Sequence, residues 1–178
     1  MIFKASPHHD DRPKNMPIEL IVLHAISLPQ HQFTTQHIID LFLGQLDHNA
    51  HPGFDELRDL QVSAHFLIDR QGQIIQFVPC QKRAWHAGVS QWKSRQQCND
   101  FSIGIEMIGD EEQAFSAQQY QCCAQLCHSL QHLFPSISDI TGHENIAPVR
   151  KWDPGKQWDW PLFHHIKNQG KHTILDVI

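Results

Sequence analysis

In Leu20-Ile21-Val22-Leu23-His24-Ala25, a continuous apolar run, Leu20 to Leu23, is followed directly by a histidine. Four large aliphatic residues in a row show no polar face, as expected of a strand buried on both sides. Working outward, Ile103 to Ile108 is a second such run, bounded by Asp100 and by Gly109-Asp110. Residues 64–68 and 73–78 are β-rich runs around Asp69-Arg70-Gln71-Gly72 and read as a hairpin. Ile137 to Thr141 is a weaker candidate strand. Between these runs the pattern turns helical. Ser116 and Gln119 form the S-x-x-Q capping-box pattern. Tyr120, Cys123, Ala124, Cys127, Leu130 and Phe134 then line one helical face, and Pro135 ends it. Thr35 to Leu43 and about Trp158 to Lys167 predict two further helices, and residues 44–62 a long loop with room for one helical turn. The fold class is mixed α/β.

The 178 residues contain no internal repeat, low-complexity tract or linker, so one domain spanning 1–178 is expected, with its core at about 18–168. The net charge of -5 argues against a broad phosphate-binding surface, and no nucleic-acid partner is expected. The N-terminus turns polar and His-rich by His8 and lacks the apolar segment of a secretory signal. No stretch approaches the ~18 apolar residues of a membrane span. A cytoplasmic protein without a membrane partner is therefore expected. The five cysteines include no C-x-x-C pair and read as reduced, small apolar residues. Histidine is the outlier at 15 residues, which raises the prospect of a metal site.

Four segments carry groups suited to chemistry. His24 directly follows the first apolar run, where a rigid sheet can aim it; taken alone it reads equally as a structural histidine. His143 lies in Thr141-Gly142-His143-Glu144, again after a strand-like run. The zinc pattern H-E-x-x-H is absent there, since residue 147 is Ala147. In Lys151-Trp152-Asp153-Pro154, the proline biases Asp153 to extended geometry, so Lys151 and Asp153 project together. An exposed ion pair would explain that segment as well. Glu106 sits inside an apolar strand, where a carboxylate is costly unless paired or functional. Burial would raise its pKa and suit it to proton acceptance. Together the four fit one mechanism. Catalytic zinc takes three protein ligands and leaves a fourth position for water, which it acidifies. His24, His143 and Asp153 would be the ligands and Glu106 the acceptor of the water proton. Lys151 would stabilise the tetrahedral intermediate.

Six segments, in this order and spacing, resemble the AmpD family of N-acetyl-anhydromuramyl-L-alanine amidases. They are Leu23-His24 through Leu28-Pro29, Val62-Ser63-Ala64-His65, Lys82 through Ser90, Cys98-Asn99-Asp100 through Glu106, Thr141-Gly142-His143 and Asp153-Pro154-Gly155. The wider group includes phage amidases of the T7 lysozyme type and peptidoglycan recognition proteins. The resemblance implies a central mixed sheet flanked by helices, with zinc at one end held by His24, His143 and Asp153. It implies Glu106 as proton acceptor and Lys151 as transition-state stabiliser. Asp153, where phage and receptor branches usually carry Cys, points to the AmpD branch. The implied partner is a small muropeptide, a 1,6-anhydromuramyl peptide, bound by a monomer. Trp85, His86, Ala87, Gly88 and Asn99 are the expected substrate-binding residues.

The sequence departs from the family pattern at Ala25, often Asn, and at Gln61 and Gln97, often Arg. Trp152 replaces a smaller residue. Arg58 and Arg95 are candidates to replace the missing arginines. Three other readings compete: a non-catalytic peptidoglycan-binding module, a zinc hydrolase with another substrate, and a secreted autolysin acting on intact wall.

Overall fold

The computed structural model describes residues 1–169. Residues 170–178 of the domain span expected from sequence lie outside the described residues. The strands are β1 (Ile2–Phe3), β2 (His9–Asp11), β3 (Leu20–Ile26), β4 (Phe66–Ile68), β5 (Ile74–Gln76), β6 (Lys82–Ala84), β7 (Gln91–Trp92), β8 (Arg95–Gln96), β9 (Ser102–Ile108) and β10 (Asp139–Gly142). The helices are α1 (Thr35–Phe42), α2 (Ala117–Leu133), α3 (His143–Ile146) and α4 (Trp160–Gln169). Six strands form one mixed sheet in the order β1-β5-β4-β9-β3-β10. β3 runs parallel to both β9 and β10, while β4 and β5 form the antiparallel hairpin. The mixed α/β architecture with helices on both faces is the one expected from sequence.

Alternation along the central strands sorts their side chains between two faces. Ile21, Leu23, Ile103, Ile105 and Met107 join a core cluster with residues of α2 and α4. On the opposite face, α1 and Phe54 pack over Leu67, Ile75 and Ile108. Leu20 and Val22 form a third cluster there with Ala87, Cys98, Phe101 and Ile146. Among the described residues, no helix is long and apolar enough to cross a membrane. All five cysteines are free thiols.

Local chemistry explains the element boundaries. The capping box of α2 is complete: Ser116 Oγ accepts from Gln119 N at 3.2 Å, and Gln119 Oε1 accepts from Ser116 N at 3.0 Å. The helix ends at Leu133, one residue short of the face read from sequence. Phe134 turns out of helical geometry (φ -125°, ψ 80°), since a following proline disfavours the helical region. The hairpin turn is held by Asp69 Oδ1, which accepts from Gln71 N and Gln73 N, with Gly72 at φ +83°. α4 begins two residues later than expected, after Asp159, whose Oδ1 accepts from Leu162 N at 2.9 Å. β3 extends past the apolar run to Ile26 because its pairing with β9 persists to Ile26–Ile108. His24 therefore lies within the strand rather than after it.

The 44–62 segment contains a short 3-10 helix, Pro52–Leu57, started by His51 Nδ1 accepting from Gly53 N. Phe54 is fully buried and ties this segment to the core. A Phe54→Ala variant is expected to lose about 3–5 kcal/mol of stability through transfer and cavity terms. Urea unfolding measures it, and a loss under about 1 kcal/mol would show that the segment is not anchored there.

Candidate metal centre

His24 and Glu106 are partners in the parallel register of β3 and β9, so both project from the same face. They stand near the C-terminal ends of these strands, the usual location of sites in open α/β sheets. His143 opens α3 immediately after β10, the other neighbour of β3. Glu144 N donates to Asp153 O at 2.8 Å and ties the Asp153 segment to that helix start. Two adjacent strand ends and one returning loop thus deliver three buried groups to one point.

The separations are short. His24 Nδ1 lies 2.9 Å from His143 Nδ1 and 3.2 Å from Asp153 Oδ2, and His143 Nδ1 lies 3.1 Å from the same oxygen. His143 Nε2 faces the carbonyl oxygen of Ala87 at 3.1 Å. A carbonyl can only accept, so in the neutral ring the proton sits on Nε2 and Nδ1 is bare. A bare nitrogen directed at a carboxylate oxygen is repulsive unless a cation stands between them. Ligand atoms 2.0–2.2 Å from a zinc ion at tetrahedral angles stand roughly 3.3 Å apart, close to the separations here. Two imidazoles and one carboxylate are also the donor set of an open zinc site. Burial pushes His24 down to about 4, so its imidazole is neutral and able to ligate at physiological pH.

Glu106 Oε1 is 4.0 Å from His24 Nδ1. Burial, reinforced by the nearby Asp153 charge, holds the Glu106 carboxyl well above its ordinary range, while Lys151 acts in the opposite sense. Its Oε2 is buried and has no hydrogen-bond partner among the described residues. The cavity has a volume of about 260 Å³, and Trp85, His86, Glu106 and Lys151 line it together with the three clustered groups.

The remaining residues singled out by sequence divide into two groups. Trp85 lines the cavity; its Nε1 donates to Asp10 Oδ1 and its ring stacks on His8. Gly88, at φ +57°, is absent from this cavity wall and lines a separate hollow with Gln97 and Ile146. Ala87 meets the centre through its carbonyl rather than its side chain. Asn99 is absent from the cavity wall, and its Oδ1 accepts from His86 N and Ala87 N at 3.1 and 2.8 Å. Both ring nitrogens of His86 are engaged by the protein. Of the two candidate arginines, Arg95 is tied to Glu19 and stacked 3.9 Å over Phe101. Arg58 pairs with Asp55 and lines a second adjoining hollow with His8, His48 and Gln61.

Sequence reasoning missed the supports beneath the site. Ser102, Gly104 and Glu106 alternate with Ile103, Ile105 and Met107, and that period-2 signal was open to reading as a functional stripe. Arg12 has no comparable signal. Its guanidinium donates to four carbonyl oxygens, of Cys80, Asn99, Asp100 and Ser102, and so fastens the segment that supports the cavity.

Residues 14–156 match the N-acetylmuramoyl-L-alanine amidase family. The chain is 49% identical over 171 residues to the 1,6-anhydro-N-acetylmuramyl-L-alanine amidase AmpD of Salmonella typhimurium strain SL1344, covering 96% of this chain and 91% of that one. It superimposes on the crystal structure of a selenomethionine derivative of AmpD with a TM-score of 0.90, at 48% identity and 93% coverage of both chains. It also matches AmiD from Escherichia coli, solved with anhydro-N-acetylmuramic acid-L-Ala-D-gamma-Glu-L-Lys. That match has a TM-score of 0.62 at 26% identity, over 87% of this chain and 60% of that one. With its family match and its full-length likeness to AmpD, this chain belongs to the N-acetylmuramoyl-L-alanine amidases.

Proposed function

We propose that the protein is a zinc-dependent amidase of peptidoglycan recycling, acting in the cytoplasm as a monomer. It hydrolyses the amide bond between the lactyl group of 1,6-anhydro-N-acetylmuramic acid and L-alanine in small muropeptides. The likeness to AmpD along nearly the whole chain supports the substrate and pathway. The observation that carries the chemistry is the convergence of His24, His143 and Asp153 on one point beside Glu106.

In this reading His24 Nδ1, His143 Nδ1 and Asp153 would hold the ion. Zinc bound there supplies Lewis acidity toward the scissile carbonyl and toward water. Glu106 takes a proton from the attacking water and delivers it to the alanine nitrogen as the C–N bond breaks. The Lys151 ammonium stabilises negative charge developing on the carbonyl oxygen. Trp85 offers a flat wall to the sugar or peptide.

Mass spectrometry of the products tests the proposal. Anhydromuramyl peptide is expected to yield free anhydro-sugar and an intact stem peptide beginning with L-alanine. A chelator is expected to stop this, and added zinc to restore it. Full turnover by metal-free protein would refute zinc dependence. Cleavage within the stem peptide would refute the assigned bond, and faster release of peptides from intact sacculi would favour a wall autolysin.

A further inference from the structure

His86 projects into the metal centre without being one of its three clustered groups. Its Nδ1 lies 2.9 Å from His24 Nε2, and its Nε2 lies 3.2 Å from Ser102 Oγ. The direction of each hydrogen bond follows from the far end. The Ser102 hydroxyl donates its single proton to the carbonyl of Cys98 at 2.5 Å. Having donated, Oγ can only accept, so His86 carries its proton on Nε2. The neutral ring then has a bare Nδ1, which accepts from His24 Nε2–H. That leaves His24 Nδ1 bare, and this is the atom facing His143 and Asp153.

The backbone around His86 is shaped to hold the ring there. A Cβ added at Gly104 would stand 2.4 Å from His86 Cγ, so only glycine in β9 leaves space for the imidazole against the sheet. Asn99 Oδ1 accepts from the backbone N of His86 and Ala87, fixing the chain from the other side. Ser102, Gly104 and Glu106 lie on one face of one strand, so the same strand that presents the proton acceptor seats this histidine.

We propose that His86 is a positioning residue for the metal centre: a chain of hydrogen bonds from the Cys98 carbonyl through Ser102 and His86 locks His24 in the tautomer and orientation that present Nδ1 to the ion. This rests on the zinc reading of the site. Partners of this kind are typically worth 10–100-fold in metal affinity.

The full-length chain tests it in two measurements. Long-range nitrogen-15 spectra of the metal-free protein show which nitrogen of His24 carries the proton, and competition with a chromophoric chelator gives the zinc affinity. Wild type is expected to show His24 protonated on Nε2. His86→Phe keeps a ring in the space but removes the acceptor. It is expected to give a mixture of His24 tautomers and zinc binding weaker by about 10–100-fold. His86→Asn, whose amide oxygen can replace Nδ1, is expected to recover part of both. Ser102→Ala removes the anchor of the chain with little change in shape, and is expected to shift both readouts the same way by less. Should His86→Phe not fold, Ser102→Ala decides. Unchanged affinity, or weaker binding with the His24 tautomer unaltered, overturns the proposal. A wild-type protein that binds no zinc refutes the functional reading instead, while the tautomer measurement still judges the hydrogen-bond chain.

Discussion

His143→Ala is expected to retain no stoichiometric zinc and to show no measurable turnover. The proposed centre draws on three clustered groups, and His143 is both buried and tightly oriented, with Nε2 fixed on the Ala87 carbonyl. Alanine keeps the start of α3 but leaves two ligands and a wet gap. Among the described residues, no other His, Cys, Asp or Glu belongs to this group of clustered ligand atoms. The variant should fold, since the side chain lost lies at the edge of the cavity and not in the apolar clusters. Elemental analysis after dialysis, together with product release, measures the outcome. A variant holding one zinc per chain would remove His143 from the ligand set, and a folded, metal-free variant that still cleaves would end the metal mechanism.

Glu106→Gln is expected to separate metal binding from catalysis. Zinc content should remain, while kcat falls by about 10²–10⁴-fold, the usual loss for a general base. Glutamine is nearly isosteric and cannot accept the proton. A second readout guards against simple collapse of the site. Burial holds the Glu106 carboxyl well above its ordinary range, so the group costs the fold stability once the pH rises past the ordinary carboxyl range. The amide cannot ionise and removes that cost, and the metal-free variant should be at least as resistant to heat as metal-free wild type. Such a gain in stability with loss of activity is the usual trade at a functional site. Wild-type kcat in Glu106→Gln would assign proton transfer to another group.

Much of this arrangement is legible in the chain. The apolar runs at 20–23 and 103–108 are the two central strands, because sheet residues buried on both faces leave an unbroken hydrophobic trace. The capping box at Ser116 and the stop at Pro135 are local signals and mark α2 to within one residue. His24, His143 and Glu106 stand out because they interrupt or follow such runs, and Asp153 because Pro154 biases it to an extended geometry shared with Lys151; the structure brings all four together. Other features depend on pairings across long sequence separations. Nothing local tells that Asn99 grips the backbone of residues 86 and 87, or that the nitrogens of His86 face inward. The same limit hides the engagement of Arg95 with Glu19 and Phe101, which leaves Arg58 as the freer of the two candidate substitutes.

The four carbonyls gathered by Arg12 bear on how the protein should be trimmed. The family match begins at residue 14, so a version cut at that margin would discard the guanidinium while preserving every residue of that match. The margin of that match thus falls inside the mechanical unit. An apparently dispensable leading arm serves as the keystone for a cavity built by residues far downstream.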